Sequence, residues 1–190
     1  MPQAAPGLAG LLALALLVGS VNGIARVAMP LYTASLGAQP WLVGLAGGFG
    51  YAGLLLLALP MGSWMERHGS RRLFVRGTAA AALVYLVLAA ARAPWQAVAM
   101  IAAVGLTLPL RTMPVHTEFL AMLPGLSISR AGWNRAAHMS GLFLIGPTIS
   151  AAAIAAAGFR AVLALSAAGM LAAAIIGARV LGRVSLHGRQ

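Results

Sequence analysis

Six apolar runs, separated by short breaks that carry proline, glycine or arginine, constrain this chain more than any other feature. They fall at approximately 8–29, 41–60, 73–91, 95–119, 133–157 and 160–181 of the 190 residues. At about 1.5 Å of rise per residue, a helical run of about twenty residues spans the roughly 30 Å hydrocarbon core of a bilayer. Inside hydrocarbon each backbone amide must find its partner within the segment, so the runs are predicted to be helices. Hydrophobic residues make up 61% of the chain and charged residues 8%, whereas soluble domains carry roughly 25% charged residues. The expected fold is an all-α integral membrane protein, a single six-helix domain over 1–190.

The breaks give each run its boundaries and its expected surroundings. Pro30-Leu31-Tyr32 is predicted to end the first run, and Pro40 to open the second after a short loop. A cleaved signal peptide is the competing reading of the first run, since Gly19-Ser20 would tolerate cleavage. Residues 1–7 carry no basic side chain, however, and Arg26 follows the apolar stretch, so the run is kept as a helix. Gly44, Gly47, Gly48, Gly50 and Gly53 predict that the second helix faces another helix. The third, built of Ala, Leu and Val, suits a peripheral position against lipid. The fourth is expected to be broken by Pro109 and Pro114 and carries Arg111, His116 and Glu118; the fifth holds Gly141 and Gly146-Pro147; a loop is expected at 124–130.

Charge sets the orientation. The net charge is +11, with every positive side chain an arginine and only Glu66 and Glu118 acidic. In a soluble protein this would suggest nucleic acid, but here the arginines lie mostly at the ends of apolar runs, where they act as topology signals facing anionic headgroups. No nucleic-acid partner is expected. Arg67, Arg71, Arg72, Arg76, Arg130, Arg135, Arg179, Arg183 and Arg189 fall on one side, and Arg26, Arg92 and Arg160 toward the other. The positive-inside rule then predicts a multi-pass protein of a cell membrane, a bacterial inner membrane, with both termini cytoplasmic. The chain has no cysteine, so no disulfide framework is available. No carboxylate pair, nucleophile with a base, or ligand cluster is spaced for chemistry, so neither an enzyme nor a cofactor or metal centre is expected.

The stretch from Met61 to Arg72 is the most specific motif. Gly62, Glu66-Arg67, Gly69 and Arg71-Arg72 reproduce the spacing Gly-x-x-x-Asp-Arg-x-Gly-Arg-Arg, with Glu66 in place of the usual Asp and Ser70 where arginine is frequent. Gly69 can take the positive φ of a short reversal, and Gly62 allows close helix approach. The pattern resembles the loop between the second and third helices of the major facilitator superfamily of secondary transporters. Pro30-Leu31-Tyr32 with Ser35-Leu36-Gly37-Ala38, the glycine-rich second run and Gly146-Pro147 extend the resemblance to the amino-terminal six-helix half of that family. Gly132, Gly141 and Gly146-Pro147 only approximate the family's antiporter pattern. Ile101 stands where an arginine often precedes the fourth helix's glycine, so the usual proton-coupling signal is missing.

The resemblance implies two inverted three-helix repeats. Arg26-Val27-Ala28-Met29-Pro30 matches Arg111-Thr112-Met113-Pro114 less one residue, and Ser35 precedes Trp41 at the interval by which Ser127 precedes Trp133. It also implies that Glu66, Arg67, Arg71, Arg72 and Glu118, with Gly62 and Gly69, form a cytoplasmic gate. Ionisable groups inside a membrane mark function by default. Asn22 and Arg26 share one face of the first helix, either lining a cavity or snorkelling to headgroups. Arg111 is the stronger substrate-binding candidate, the alternative being neutralisation of Glu118. His116 and His138 are possible proton relays, or hydrogen-bonded structural groups. With these histidines, Met61, Met65, Met113, Met122 and Met139 offer a minor copper route against their use as apolar filler.

Six helices supply half of the family's rocking pair. The expected function is therefore a half-size secondary transporter, paired as a homodimer or with a second six-helix half through helices one, two, four and five. It would move a small anionic or amphipathic organic solute by alternating access. The alternative is a non-transporting assembly factor or accessory subunit.

Overall fold

The computed structural model describes residues 8–122 and 132–187, with side chains to Leu181 in the last helix. Among the described residues seven α-helices follow in order: α1 Leu8–Ser35, α2 Pro40–Phe49, α3 Ala52–His68, α4 Ser70–Ala89, α5 Pro94–Met122, α6 Trp133–Ser140 and α7 Gly146–His187, with a π-helical turn Gly141–Ile145 joining the last two. Among the described residues there is no strand. Five helical stretches are long and apolar enough to cross a membrane: Leu8–Ser35, Pro40–His68, Ser70–Ala89, Pro94–Met122 and Trp133–Leu181. The protein is all-helical and of the membrane-spanning kind. The loop expected at 124–130, with Arg130 and the repeat marker Ser127, and the tail residue Arg189 lie outside the described residues.

Several helices run past the prolines expected to end them. α1 continues through Pro30, and it is Gly37, at φ 82, that stops it, its N–H donating to the Ala34 carbonyl at 3.0 Å. A proline removes one intrahelical bond, which a long apolar helix tolerates; a left-handed glycine ends the helix outright. Pro60, Pro109 and Pro114 are likewise inside helices. The second run is instead divided at Gly50-Tyr51, between α2 and α3. Glu66 and Arg67 belong to the last turn of α3, and the reversal to α4 is Gly69 alone, at φ 78.

The stretch Trp133–Leu181, at about 1.5 Å per residue, would be more than twice as long as the roughly 30 Å bilayer core if straight. It turns at Gly158 (φ 76, ψ 176). Its neighbours give the directions. Gly141 abuts Leu16 to Ser20, Gly146 abuts Ser20 to Gly23, and Ser150 Oγ donates to the Ile24 carbonyl at 3.2 Å, so this arm runs with α1. Beyond Gly158, Gly169 meets Val21 and Val180 meets Gly10, so the chain returns against α1.

α1 packs on α2, on α5, on α6 with its π turn, and on α7; α5 packs on α1, on α2–α3 and on α4; α4 packs on α7. Two crossings bring backbone onto backbone at glycine. A Cβ on Gly23 would lie 2.5 Å from the Leu142 carbonyl oxygen, and one on Gly53 would lie 2.1 Å from that of Gly105. One apolar cluster holds Leu8, Leu11, Phe74, Phe119 and Leu181; a second, toward the other end, holds Met29, Tyr32, Tyr85, Leu88 and Ile101. Leu8 and Leu181 therefore lie at the same end of the bundle.

The surroundings expected for the second and third runs are exchanged within this chain. α4 buries Phe74, Thr78, Ala81 and Tyr85 between its neighbours, whereas only 11% of the most apolar part of Pro40–His68 is buried. The glycines explain the difference. Gly53 meets α5, but an added Cβ on Gly44, Gly47, Gly48 or Gly62 would meet nothing within 4 Å.

Candidate functional site

A cavity of about 620 Å³ opens between the crossings. α1 contributes Asn22, Arg26 and Met29; α2, α3 and the turn between them contribute Gly47, Leu54 and Tyr51; α5 contributes Leu108, Arg111, Thr112 and His116; α6 and its π turn contribute His138, Met139 and Leu142. These residues belong to the first, second, fourth and fifth runs. Tyr85 of α4 adds a wall that the sequence did not announce.

Arg111 dominates the polarity of the cavity. It is only 2% exposed, one guanidinium nitrogen donates to Asn22 Oδ1 at 2.5 Å, and the same nitrogen lies 3.6 Å from Met170 Sδ on α7. Asn22 and Arg111 are 89 residues apart in sequence and form the one predicted substrate-binding pair that the fold brings into contact. An amide oxygen offsets part of the cost of burying a guanidinium but supplies no counter-charge. Glu118 does not neutralise Arg111: it is seven residues along the same helix, and among the described residues no carboxylate lines the cavity. The Nε of Arg111 is buried without a partner among the described residues.

Arg26 is separated from this pair. It sits exposed at the cavity, its guanidinium carbon 4.9 Å from the centroid of the Phe143 ring on the π turn. The attraction is cation–π rather than a hydrogen bond.

Below Arg111, His116 and His138 meet edge to face with ring centroids 5.7 Å apart. Asn134 Nδ2 donates to His116 Nδ1 at 2.9 Å, and His138 Nδ1 donates to the Ala15 carbonyl at 3.3 Å. Both rings border a narrow pocket shared with Arg111, Thr112, Ala15 and Val18. The buried side-chain atoms without a partner among the described residues are Tyr85 Oη, Arg111 Nε and Asn134 Oδ1. All three belong to the cavity wall or to its histidine floor. Buried polar groups are nearly always paired in folded proteins, so a cluster of orphans marks where a ligand or water belongs.

The expected gate residues divide between two places in the bundle. Gly62, Glu66, Arg67, Gly69, Arg71 and Arg72 occupy the exposed junction of α3 and α4, while Glu118 is half-buried on α5. Among the described residues, neither glutamate forms an ion pair with an arginine. The open space around Gly62 gives no close helix approach within this chain.

Met113 and Met139 border the cavity beside the histidines, but Arg111 repels a cation there. Among the described residues no group of three His, Cys, Asp or Glu side chains could hold a metal. The functional residues missed from sequence are Tyr85, Asn134, Phe143 and Met170. Tyr85 carried a usable signal, being the lone hydroxyl-bearing aromatic in an Ala, Leu and Val run.

Bundle and cavity together define a helical membrane protein with a buried cationic centre reached from an apolar cavity. Comparison with protein-family models, with curated proteins and with solved structures finds no match.

Proposed function

We propose that this protein is a half-size secondary transporter. Two copies pair about an axis along the membrane normal and carry a small anionic, amphipathic solute by alternating access. The observation that carries the reading is Arg111, a buried cation at an apolar cavity, without a carboxylate partner and with its Nε unpaired among the described residues. Keeping a charge in hydrocarbon costs about 2.5 to 3.5 kcal/mol on insertion scales, a cost that a bound anion offsets.

Six crossings, arranged as two inverted repeats of the major facilitator type, are supported by the packing scheme. Take α2–α3 as the second crossing, and Gly158 as dividing the fifth from the sixth. The first then packs on the fourth, fifth and sixth, and the fourth packs on the first, second and third; the third packs on the sixth. Exchanging the first three crossings with the last three preserves these relations, except that the first also packs on the second more closely than the fourth does on the fifth. It also exchanges the two glycine contacts, Gly23 on Leu142 and Gly53 on Gly105.

Pairing is supported by the bare face of α2, where Gly44 and Gly48 stand four apart with nothing against them, the spacing that lets membrane helices pack closely. Arg67, Arg71, Arg72, Arg76, Arg135 and Arg179 favour the cytoplasm at the end holding Leu8 and Leu181.

Native mass spectrometry from nanodiscs, with crosslinking in the original membrane, tests the pairing: a monomer in both rejects the self-paired transporter. Liposome uptake of radiolabelled monocarboxylates tests the activity, and uptake by wild type must be lost in Arg111→Ala. An assembly factor would instead tolerate this change and fail on surface substitutions.

A further inference from the structure

We infer that His116 and His138 form a proton-loading site that takes up one proton with each anion bound at Arg111, so that the cavity carries an amphipathic monocarboxylate together with a proton. The inference rests on the anion-binding reading of Arg111 and adds the proton and the groups that hold it.

The hydrogen bonds assign the ring nitrogens. His138 Nδ1 donates to the Ala15 carbonyl, so its neutral ring keeps a lone pair at Nε2. His116 Nδ1 accepts from the Asn134 amide, so its hydrogen sits at Nε2. The pair thus presents one N–H and one basic nitrogen, and a proton from water joins His138 Nε2. Asn134 supplies the alternative. Its Oδ1 is buried and unpartnered, and turning the amide over would let that oxygen accept from a protonated His116 Nδ1. Either ring can then hold the added proton.

The surrounding groups leave this task to the imidazoles. α5 brings Arg111 and, two residues beyond His116, Glu118; α6 brings Arg135 near His116; α4 brings Tyr85 to the cavity wall. α1 offers the Ala15 carbonyl and Asn22 beside the rings, with Arg26 at the cavity, and α7 offers Met170 against Arg111. Among the described residues no carboxylate lines either pocket, so the imidazoles are the cavity groups with a basic nitrogen to take up a proton.

Charge selects the cargo. With Arg26 exposed and set apart, the unloaded buried site holds the positive charge of Arg111. A monocarboxylate alone would cancel it, whereas a monocarboxylate with a proton restores it, so loaded and unloaded sites move through the membrane with the same charge. The anion relieves the repulsion between Arg111 and a charged imidazole, and by linkage the proton improves binding of the anion. A dianion would exceed the one buried guanidinium, and the apolar lining suits a hydrophobic body.

The test is titration calorimetry of the full chain in detergent with benzoate as probe, at one near-neutral pH, in two buffers of different ionisation enthalpy. Wild type should bind benzoate with uptake of about one proton, read from the buffer dependence of the heat. His116→Asn/His138→Asn, whose amides can occupy the Nδ1 positions, should bind benzoate with buffer-independent heat. Arg111→Gln should not bind. Benzoate binding by wild type without proton uptake would overturn the proton site and leave the anion reading standing. So would proton uptake that survives in the double variant. Absence of benzoate binding by wild type would remove both. Should the double variant fail to fold, the wild-type comparison between buffers still decides, and His116→Asn alone should reduce the uptake.

Discussion

Replacing Gly53 by alanine tests the packing on which the cavity depends. A Cβ at this position would lie 2.1 Å from the Gly105 carbonyl oxygen and 2.8 Å from both the Gly105 carbonyl carbon and Leu106 Cα. That is about 1.3 Å inside an ordinary 3.4 Å contact, all of it against backbone that no rotamer change can clear. α3 must therefore back away from α5. A gap of about 0.5–1 Å already forfeits a quarter to a half of the dispersion well for each atom pair across it, and overpacking of this kind costs about 1–3 kcal/mol. Alanine also gains up to about 1 kcal/mol over glycine in helix propensity, which partly masks the clash. Gly62→Ala isolates the steric part, because it lies on the same helix and meets nothing within 4 Å. The two variants share the propensity gain, so their difference in unfolding free energy should be about 1–3 kcal/mol. Reversible unfolding in mixed micelles, followed by tryptophan fluorescence, measures it. Equal stabilities would refute the close contact of α3 with α5.

Arg111→Met should lose anion binding and cost about 1–3 kcal/mol, because it leaves the buried Asn22 oxygen unpaired. Adding Asn22→Leu should restore stability without restoring binding, measured by the same unfolding assay and by benzoate calorimetry. Glu66→Gln, at an exposed position without an ion pair among the described residues, should change the stability of a single copy by less than about 0.5 kcal/mol. A larger loss would mean that the glutamate is engaged within the chain. Gly48→Leu, on the bare face of α2, should convert the proposed dimer to monomers in nanodiscs by native mass spectrometry and leave monomer unfolding unchanged. A dimer that survives would move the pairing surface elsewhere.

Much of this bundle is legible because hydrocarbon leaves the backbone few choices: a long apolar run must be helical, and charge must collect at its ends. Gly69 was equally readable, since a reversal one residue wide demands a positive φ. Helix ends at proline were not, because Pro30, Pro109 and Pro114 each remove one hydrogen bond and leave the others intact. The surroundings of the second and third runs escaped for a related reason. Gly44, Gly48 and Gly53 look alike in sequence, yet only Gly53 has a backbone against it; a small residue permits contact without requiring it.

The site divides the same way. Asn22, Arg111, His116 and His138 stood out individually because each polar group is costly where it lies. Their association did not stand out, since it depends on how α1 crosses α5 and α6. Glycines at 19, 23, 141 and 146 draw α1 and the following α6 arm into backbone contact. That contact carries His138 to the Ala15 carbonyl, while α1 also holds Asn22 against Arg111. A glycine crossing therefore sets the geometry of the polar centre. Gly19→Ala, whose Cβ would lie 2.3 Å from the His138 carbonyl oxygen, should weaken benzoate binding although residue 19 is not part of the cavity wall. Unchanged affinity in a folded Gly19→Ala protein would show that the polar centre holds its geometry independently of this crossing.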